Sequence, residues 1–139
     1  MNLDLLTPGI EVGLVTTDLD AMVAFYEGFL ELEPQGEIEF SDSWGGGSQR
    51  RYSLARSVLK LVTYTTPPAA AAVPGGGHAQ AGLRYFTIGV NGLRAVADAF
   101  EASPYEVVEP VTEFAPVPGM GWMFVADPDG NHIELFGTL

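Results

Sequence analysis

The chain contains no cysteine among its 139 residues. A disulfide framework, a thiolate metal site and a cysteine nucleophile are therefore excluded. Basic residues are also scarce, with 6 Lys plus Arg against 18 Asp plus Glu and a formal net charge of −12. Because contacts to a phosphate backbone need a basic patch, we expect no nucleic-acid partner.

Long apolar runs are missing as well. No stretch of about twenty apolar residues occurs, so the sequence predicts no membrane span. The first residues, Met-Asn-Leu-Asp-Leu-Leu, lack the basic start and the apolar core of a signal peptide. We therefore expect a cytoplasmic protein. Glycine-rich runs occur at 45–47 and 75–77, but neither carries the Lys-Ser/Thr of a phosphate-binding loop.

The composition that remains is that of a globular protein. Hydrophobic residues make up 47% of the chain and charged residues 17%, which is typical of a sequence that buries a core. The length fits one domain, 1–139. Within it, two segments of similar pattern flank a Pro- and Gly-rich linker at about 65–81, which we interpret as a flexible connector, with a lid over a site as the alternative.

The first segment, at about 8–64, predicts the element order β-α-β-β-β. Apolar residues at helical spacing indicate a helix over 18–30, with Thr17 or Asp18 as its N-cap. Residues 41–48 read as a loop. The predicted strands are 10–15, 37–40, 51–54 and 58–64.

The second segment, at about 82–139, predicts the same order. A helix over 92–102 follows Asn91 as a plausible N-cap, and Asp127-Pro-Asp-Gly-Asn131 has the chemistry of a five-residue hairpin loop. The strand after that loop places Glu134 between Ile133 and Leu135. The other predicted strands are 83–90, 105–111 and 121–126.

The two segments superpose with a fixed offset of 74 residues, which indicates an internal repeat. At this offset Glu11 falls on Tyr85, and Lys60 falls on Glu134. All four lie within apolar strands. If the halves pair about a pseudo-twofold axis, these four polar side chains converge on one cavity.

The runs Glu11–Tyr26 and Asp127–Leu135 resemble the vicinal oxygen chelate superfamily, which comprises glyoxalases, bleomycin-resistance proteins and extradiol dioxygenases. The resemblance implies an α+β fold of two tandem βαβββ modules whose mixed sheets form a curved cup. It also implies ligand positions on the first and last strands of each module, here Glu11, Lys60, Tyr85 and Glu134. Because members commonly dimerise, we expect a homodimer.

The chain departs from the metal-dependent pattern of this superfamily. Its first-strand positions carry Glu11 and Tyr85 where histidine is usual, and Lys60 is a cation. We therefore expect no cofactor. The alternative is a divalent metal ion held by Glu134 and Glu11, since carboxylates suit hard cations.

These four residues also form a set for acid–base chemistry. Lys60 would pair with Glu134 or Glu11, the remaining carboxylate would act as a base, and Tyr85 would donate to a developing oxyanion. Such chemistry suits enolisation, epimerisation or isomerisation beside a carbonyl. The alternative is an ion network that only fills the cup.

A small-molecule ligand needs apolar walls, and the sequence offers several. His132 lies two residues before Glu134 and so points to the same side of the strand. Arg51 either reaches a substrate carboxylate or forms an exposed ion pair. We predict a glyoxalase-like lyase or isomerase, with metal-free sequestration of the bleomycin-resistance type as the alternative. The predicted substrate-binding residues are Trp44, Tyr52, Met120, Trp122 and His132.

Overall fold

The computed structural model describes residues 4–139. The chain divides into two compact units, one ending at Ala71 and the other beginning at Ala72, which we call module one and module two. No helix in residues 4–139 is long and apolar enough to cross a bilayer. Within the same range, residues 65–84 contain neither helix nor strand, as the Pro- and Gly-rich composition predicts.

Module one has the order β-α-β-β-β. Its four-stranded sheet has the order β1-β4-β3-β2, with β1 parallel to β4 and the other pairs antiparallel. The elements are β1 Glu11–Val15, α1 Leu19–Val23 with a π-helical continuation Ala24–Phe29, β2 Pro34–Phe40, a 3₁₀ turn Asp42–Trp44, β3 Gly47–Leu54 and β4 Ser57–Tyr64.

Module two repeats this order. Its sheet has the order β5-β8-β7-β6, again with one parallel pair, β5 with β8. The predicted α+β fold of two mixed-sheet βαβββ modules is therefore confirmed. The elements are β5 Tyr85–Val90, α2 Leu93–Glu101, β6 Val107–Glu113, β7 Met120–Ala126 and β8 His132–Thr138.

The strand registers confirm the internal repeat. In module one Glu11 pairs with Val58, and in module two Tyr85 pairs with His132. Tyr85 follows Glu11 by 74 positions, and His132 follows Val58 by the same number, as the sequence overlay requires. The same offset relates the β1–β4 pairs to the β5–β8 pairs along their shared length. Because register decides which face a side chain occupies, equivalent positions of the two modules carry their side chains on equivalent faces.

The helix starts differ from one module to the other. Asp18 caps α1, since its Oδ1 accepts a hydrogen bond from Ala21 N at 3.1 Å. The predicted cap Asn91 is wrong for α2: the N-cap is Gly92, with φ of +68° and no side-chain hydrogen bond. Gly92 N instead donates to Thr138 Oγ1 at 2.9 Å. The left-handed backbone conformation at this bend is unfavourable for most residues other than glycine. Gly92 therefore occupies the N-cap position, although it has no side chain that could cap the helix.

Each module buries one face of its sheet beneath its helix. In module one α1 contacts β4, where Leu59 and Leu61 are fully buried; in module two α2 contacts β7 and β8, where Met123 and Ile133 are fully buried. Buried side chains alternate with partly exposed ones along the central strands, as expected for a sheet with one covered face. The other core residues are Met22, Phe25, Tyr26, Leu93, Phe100, Val125 and Leu135.

Tyr52 belongs to this buried face, and its predicted place among the substrate-binding residues is therefore corrected. It is 0% exposed and pairs across the sheet with Leu59. Its hydroxyl donates to Glu27 Oε2, on the π-helical segment, at 3.0 Å. Burial, reinforced by this hydrogen bond to a carboxylate, raises the pKa of Tyr52 to about 12.

Strands β2 and β3 start earlier than the sequence predicts. β2 begins at Pro34 rather than at 37, and its pairing with β3 contains an irregularity between Pro34 and Gly36. Proline and glycine usually end a strand, but β2 is the edge strand of its sheet, where a missing donor and a bulge are tolerated. The hairpin loop after β7 is as predicted: the buried Asp127 accepts from Asn131 N at 2.8 Å.

Candidate functional site

The uncovered face of module one carries a cluster of charged side chains. Arg51 and Lys60 are directly opposite each other on β3 and β4. Both contact Glu11 on β1: Arg51 Nη2 lies 2.9 Å from Glu11 Oε1, and Lys60 Nζ forms an ion pair with Glu11 Oε2. The side chains of Arg51 and Lys60 are only 20% and 23% exposed. Of the two partners predicted for Lys60, the structure shows Glu11.

This cluster fixes the charge of Glu11. Hydrogen bonds from Arg51 and then from Lys60 lower the pKa of Glu11 to about 2. A carboxylate that is this strongly stabilised in its ionised form is a weak base at neutral pH. Arg51 therefore forms an ion pair, one of its two predicted roles. The position of Arg51 opposite Lys60 could have been predicted from the sequence, because the two-residue turn at Ala55-Arg56 sets the register of the hairpin.

The equivalent face of module two carries a carboxylate in different surroundings. Glu134 lies beside Thr87 of the parallel strand β5, and Thr87 Oγ1 donates to Glu134 Oε2 at 2.5 Å. Within the described part of module two, no lysine or arginine pairs with Glu134. The sequence interpretation missed Thr87, although the offset of 74 places it opposite Glu134 as Gly13 is placed opposite Lys60.

Aromatic side chains share the face of the sheet on which this carboxylate lies. Phe124 lies directly opposite Glu134 on β7. Its ring centroid is 5.1 Å from that of Tyr85, 5.7 Å from that of Trp122 and 6.4 Å from that of His132. We call Tyr85, Trp122, Phe124, His132 and Glu134 the aromatic face. Its chemistry combines one acceptor with apolar walls, which is the usual composition of a small-molecule site.

The predicted substrate-binding residues divide between this face and other places. The structure brings Trp122 and His132 together with Glu134, and Met120 is on the same face of β7 by alternation. Trp44 is 80% exposed in the 3₁₀ turn of module one. Tyr85, at 44% exposure, presents its ring edge-on to Phe124.

Part of the predicted connector is held against module two. Arg84 donates from Nη2 to the carbonyl oxygens of Val73 and Gly75, at 2.8 and 2.6 Å. Gly76 approaches the His132 ring so closely that a Cβ atom there would lie 2.9 Å from Nδ1. This segment therefore borders the His132 end of the aromatic face, which the interpretation of 65–81 as a flexible connector did not foresee.

A cavity of about 350 Å³ in module two is not part of this site. It lies between α2 and strands β6 and β7, and the buried Met123 contributes to its lining. Met123 alternates with Trp122 and Phe124 along β7, so the cavity opens on the helix-covered side of the sheet, opposite Glu134. Its rim consists of the exposed side chains of Arg94, Asp98 and Glu101.

The surroundings of Glu11 do not fit a divalent metal ion. Among residues 4–139, no three His, Asp or Glu side chains are grouped in a way that could hold one. Glu11, one of the two predicted ligands, is engaged by two cations. Those cations would repel a divalent ion, so Glu11 is not a suitable ligand for one.

Comparison with known proteins identifies the class of this chain. The model of the Glyoxalase/Bleomycin resistance protein/Dioxygenase superfamily matches residues 10–135. The chain belongs to this superfamily, the same group that the sequence resemblance indicates. None of the curated proteins compared matches the chain.

Solved structures share the fold at low sequence identity. A glyoxalase family protein from Bacillus cereus superposes with a TM-score of 0.81 at 18% identity, covering 99% of this chain and 97% of that one. The trypanothione-dependent glyoxalase I of Leishmania major gives 0.67 at 17% identity, covering 91% and 84%. A fosfomycin resistance protein from Listeria monocytogenes, complexed with Mn(II), gives 0.65 at 12% identity, covering 96% and 92%. These similarities show the fold alone.

Proposed function

We propose that this protein is a glyoxalase-like enzyme of the lyase or isomerase type, which moves a proton beside the carbonyl of a small oxygenated molecule. Glu134 is the base. The observation that carries the proposal is the position of its carboxylate, among aromatic rings and with no basic side chain paired to it in the described part of module two. A carboxylate in that state accepts a proton more readily than one held in ion pairs.

Neighbouring groups orient the carboxylate of Glu134 and donate a hydrogen bond to the oxyanion that forms. The hydrogen bond from Thr87 engages Oε2 of the carboxylate, and in the proposed reaction Oε1 accepts the substrate proton. The hydroxyl of Tyr85 is a donor for the oxyanion that forms when the proton leaves. His132, two residues before Glu134 on β8, supplies a second group for proton transfer. That Glu11 and Lys60 serve the same ligand stays a prediction.

Proton exchange with solvent tests this chemistry on a range of carbonyl compounds at once. The protein is incubated in D₂O with a panel of small α-hydroxyketones and 2-keto acids, and loss of the α-proton signal is followed by NMR. We expect accelerated exchange for at least one compound and a reduction of roughly a hundredfold or more in Glu134→Gln. Thr87→Val should retain part of the rate, because it removes the orienting hydrogen bond but leaves the base.

The matched control is Glu113→Gln. Glu113 lies opposite Gly121, and Gly121 alternates with Trp122 along β7. The side chain of Glu113 is therefore on the other side of the sheet from the aromatic face. Its variant should exchange at the wild-type rate. Equal rates in Glu134→Gln and wild type would refute the proposal. Elemental analysis of protein purified without chelator belongs in the same experiment, since a stoichiometric metal would contradict the prediction that no cofactor is bound.

A second candidate function is sequestration of a cationic compound, as in the bleomycin-resistance branch. Aromatic rings beside a carboxylate attract an ammonium group through cation–π and Coulomb terms. The net charge of −12 would steer such a ligand toward the protein. Calorimetric titration with cationic aromatic dyes distinguishes the candidates: sequestration predicts binding that Glu134→Gln abolishes, without any exchange chemistry.

Two further predictions concern the protein as a whole. The homodimer is inferred from what is common in the superfamily, and light scattering coupled to a sizing column tests it. The cytoplasmic location stays a prediction, and fractionation of cells that express the protein tests it.

A further inference from the structure

The charged cluster of module one is unbalanced. Two cations, Arg51 and Lys60, face the single carboxylate of Glu11. The chain has only 6 Lys plus Arg, so two of its six cations lie on this one face. With Glu11 ionised, the cluster carries one excess positive charge on side chains that are about four-fifths buried.

Within residues 4–71, no acidic side chain other than Glu11 forms an ion pair with Arg51 or Lys60. Glu37 lies opposite Arg50 in the β2–β3 register and therefore on the other face of the sheet from Arg51. Its carboxylate accepts a hydrogen bond from Ser48 Oγ at 2.6 Å. Glu27 accepts from Tyr52 on the helix-covered face. Because a partly buried charge without a counter-charge is costly to desolvate, the excess on this face favours an added anion.

The cations also keep hydrogen-bond donors for such an anion. The contacts of Arg51 with Glu11 use one N–H each on Nη1 and Nη2, at 3.4 and 2.9 Å. A guanidinium has five N–H donors and an ammonium has three, so both groups retain donors after binding Glu11. Gln49 lies two positions from Arg51 on β3 and adds an amide to the same face. The rings of Phe40 and Tyr64, with centroids 6.0 Å apart, lie further along this face.

We propose that Arg51 and Lys60 form a binding site for a small oxyanion, a carboxylate or a phosphate group, and that Glu11 is its built-in competitor. The site goes beyond the proposed function and is argued from module one alone, so it holds whether or not Glu11 and Lys60 also serve the ligand of Glu134. Arg51 binds the anion through its planar donors, and Lys60 adds a point charge. The anion is either a free ion or the anionic group of a larger molecule, because the same donors recognise both.

Titration with acetate and with inorganic phosphate, at constant ionic strength in chloride, tests the site. The side-chain N–H signal of Arg51 in ¹H–¹⁵N spectra reports binding. We expect a saturable shift that is lost in Arg51→Met and in Lys60→Met. Glu11→Gln should bind roughly fivefold more tightly, because it removes the competing carboxylate.

Arg50→Met is the matched control. Arg50 is adjacent in sequence but lies on the opposite face, where it pairs with Glu27 at 3.6 Å. Its variant should bind acetate and phosphate as the wild type does. If removal of a cation prevents folding, Lys60→Arg keeps the charge and should retain binding, and the tightening in Glu11→Gln is measured on a cluster that keeps both cations.

A comparison of acetate with benzoate, and of phosphate with phenyl phosphate, distinguishes the two sources of the anion. Tighter binding of the phenyl compounds supports a larger ligand that also contacts Phe40 and Tyr64, whereas equal binding supports a free ion. A linear, non-saturating shift would overturn the proposal, as would equal losses in Arg50→Met and Arg51→Met. Because no turnover is measured, this result is separate from that of the exchange experiment on Glu134.

Discussion

The two modules pair their first and last strands in the same register and yet place opposite chemistry at equivalent positions. Where module one has Lys60, module two has Glu134, and the residues directly opposite them are Arg51 and Phe124. The carboxylate of module one, Glu11, is held by two cations. The carboxylate of module two lies among aromatic rings.

This difference separates the contribution of the backbone from that of the side chains. The repeat decides where a polar side chain emerges from the sheet. The residues opposite it decide whether its charge is neutralised or stays available to a ligand. On this ground we propose proton transfer for module two and anion binding for module one.

The cores of the two modules should respond alike. Leu59 and Ile133 are equivalent at the offset of 74, and both are fully buried. Leu59→Ala and Ile133→Ala should each lower the free energy of unfolding by roughly 2–5 kcal/mol, since each leaves a cavity. Urea unfolding followed by circular dichroism measures the change. Val117→Ala is the control, because Val117 is exposed. A core variant as stable as this control would show that the two cores are not equivalent.

Giving module two the charge of module one should suppress its chemistry. Phe124 lies opposite Glu134 as Arg51 lies opposite Lys60. Phe124→Arg therefore places a guanidinium opposite Glu134. An ion pair there should lower the rate of deuterium exchange by roughly tenfold or more, because it stabilises the ionised carboxylate. Val117→Arg adds the same charge in the loop before β7 and should leave the rate unchanged. An unaltered rate in Phe124→Arg would argue against Glu134 as the base.

The buried tyrosine of module one has no counterpart in module two. Tyr52 pairs with Leu59, and the equivalent pair is Val125 with Ile133. Tyr52→Phe should cost about 1 kcal/mol at neutral pH, the usual net value of one hydrogen bond. The folded pKa of about 12 exceeds the ordinary tyrosine value of 10.0. This contribution is therefore present below pH 10 and is lost as the pH rises toward 12.

Stability measured from pH 8 to pH 12 checks the tyrosine prediction. The difference between wild type and Tyr52→Phe should narrow across the upper part of that range. Tyr85→Phe is the control, because the Tyr85 ring is partly exposed on the aromatic face. A constant difference up to pH 12 would contradict burial as the cause of the raised pKa.

The smallest effect concerns acid stability. The pKa of Glu11 is lowered from the ordinary glutamate value of 4.5 to about 2. Its ion pairs therefore stabilise the fold above pH 4.5, and the contribution is lost as the pH falls toward 2. Wild type should lose stability relative to Glu11→Gln over this window, and added salt should reduce the difference. Glu39→Gln, at an exposed position of β2, is the control.

Much of the fold was predictable because its signals are local. Alternation and helical spacing located every strand and both helices, and the Asp-Pro-Asp-Gly-Asn loop joined the last two strands as expected. The errors arose where context outweighed a local preference. The N-cap of α2 is Gly92 and not Asn91, because the backbone at this bend is left-handed. Pro34 lies within β2 because an edge strand tolerates a missing backbone donor.

The site was less predictable because it depends on contacts between strands. The repeat indicated Glu11, Lys60, Tyr85 and Glu134, since equivalent positions can be counted along the chain. It did not indicate that Arg51 joins Glu11, that Thr87 binds Glu134, or that Tyr52 faces the helix. Those facts depend on which strands are neighbours and on the face each side chain occupies.

By itself, the sequence determined the two βαβββ modules, the offset between them and the position of a carboxylate in the last strand. These follow from periodicity, turn chemistry and residue counts, which act over a few neighbours along the chain. The ion pairs of Glu11 with two cations, and the aromatic side chains on the face of Glu134, become visible in the folded structure. Charge pairing and ring packing depend on distances of 2.5 to 5.1 Å between residues that are tens of positions apart.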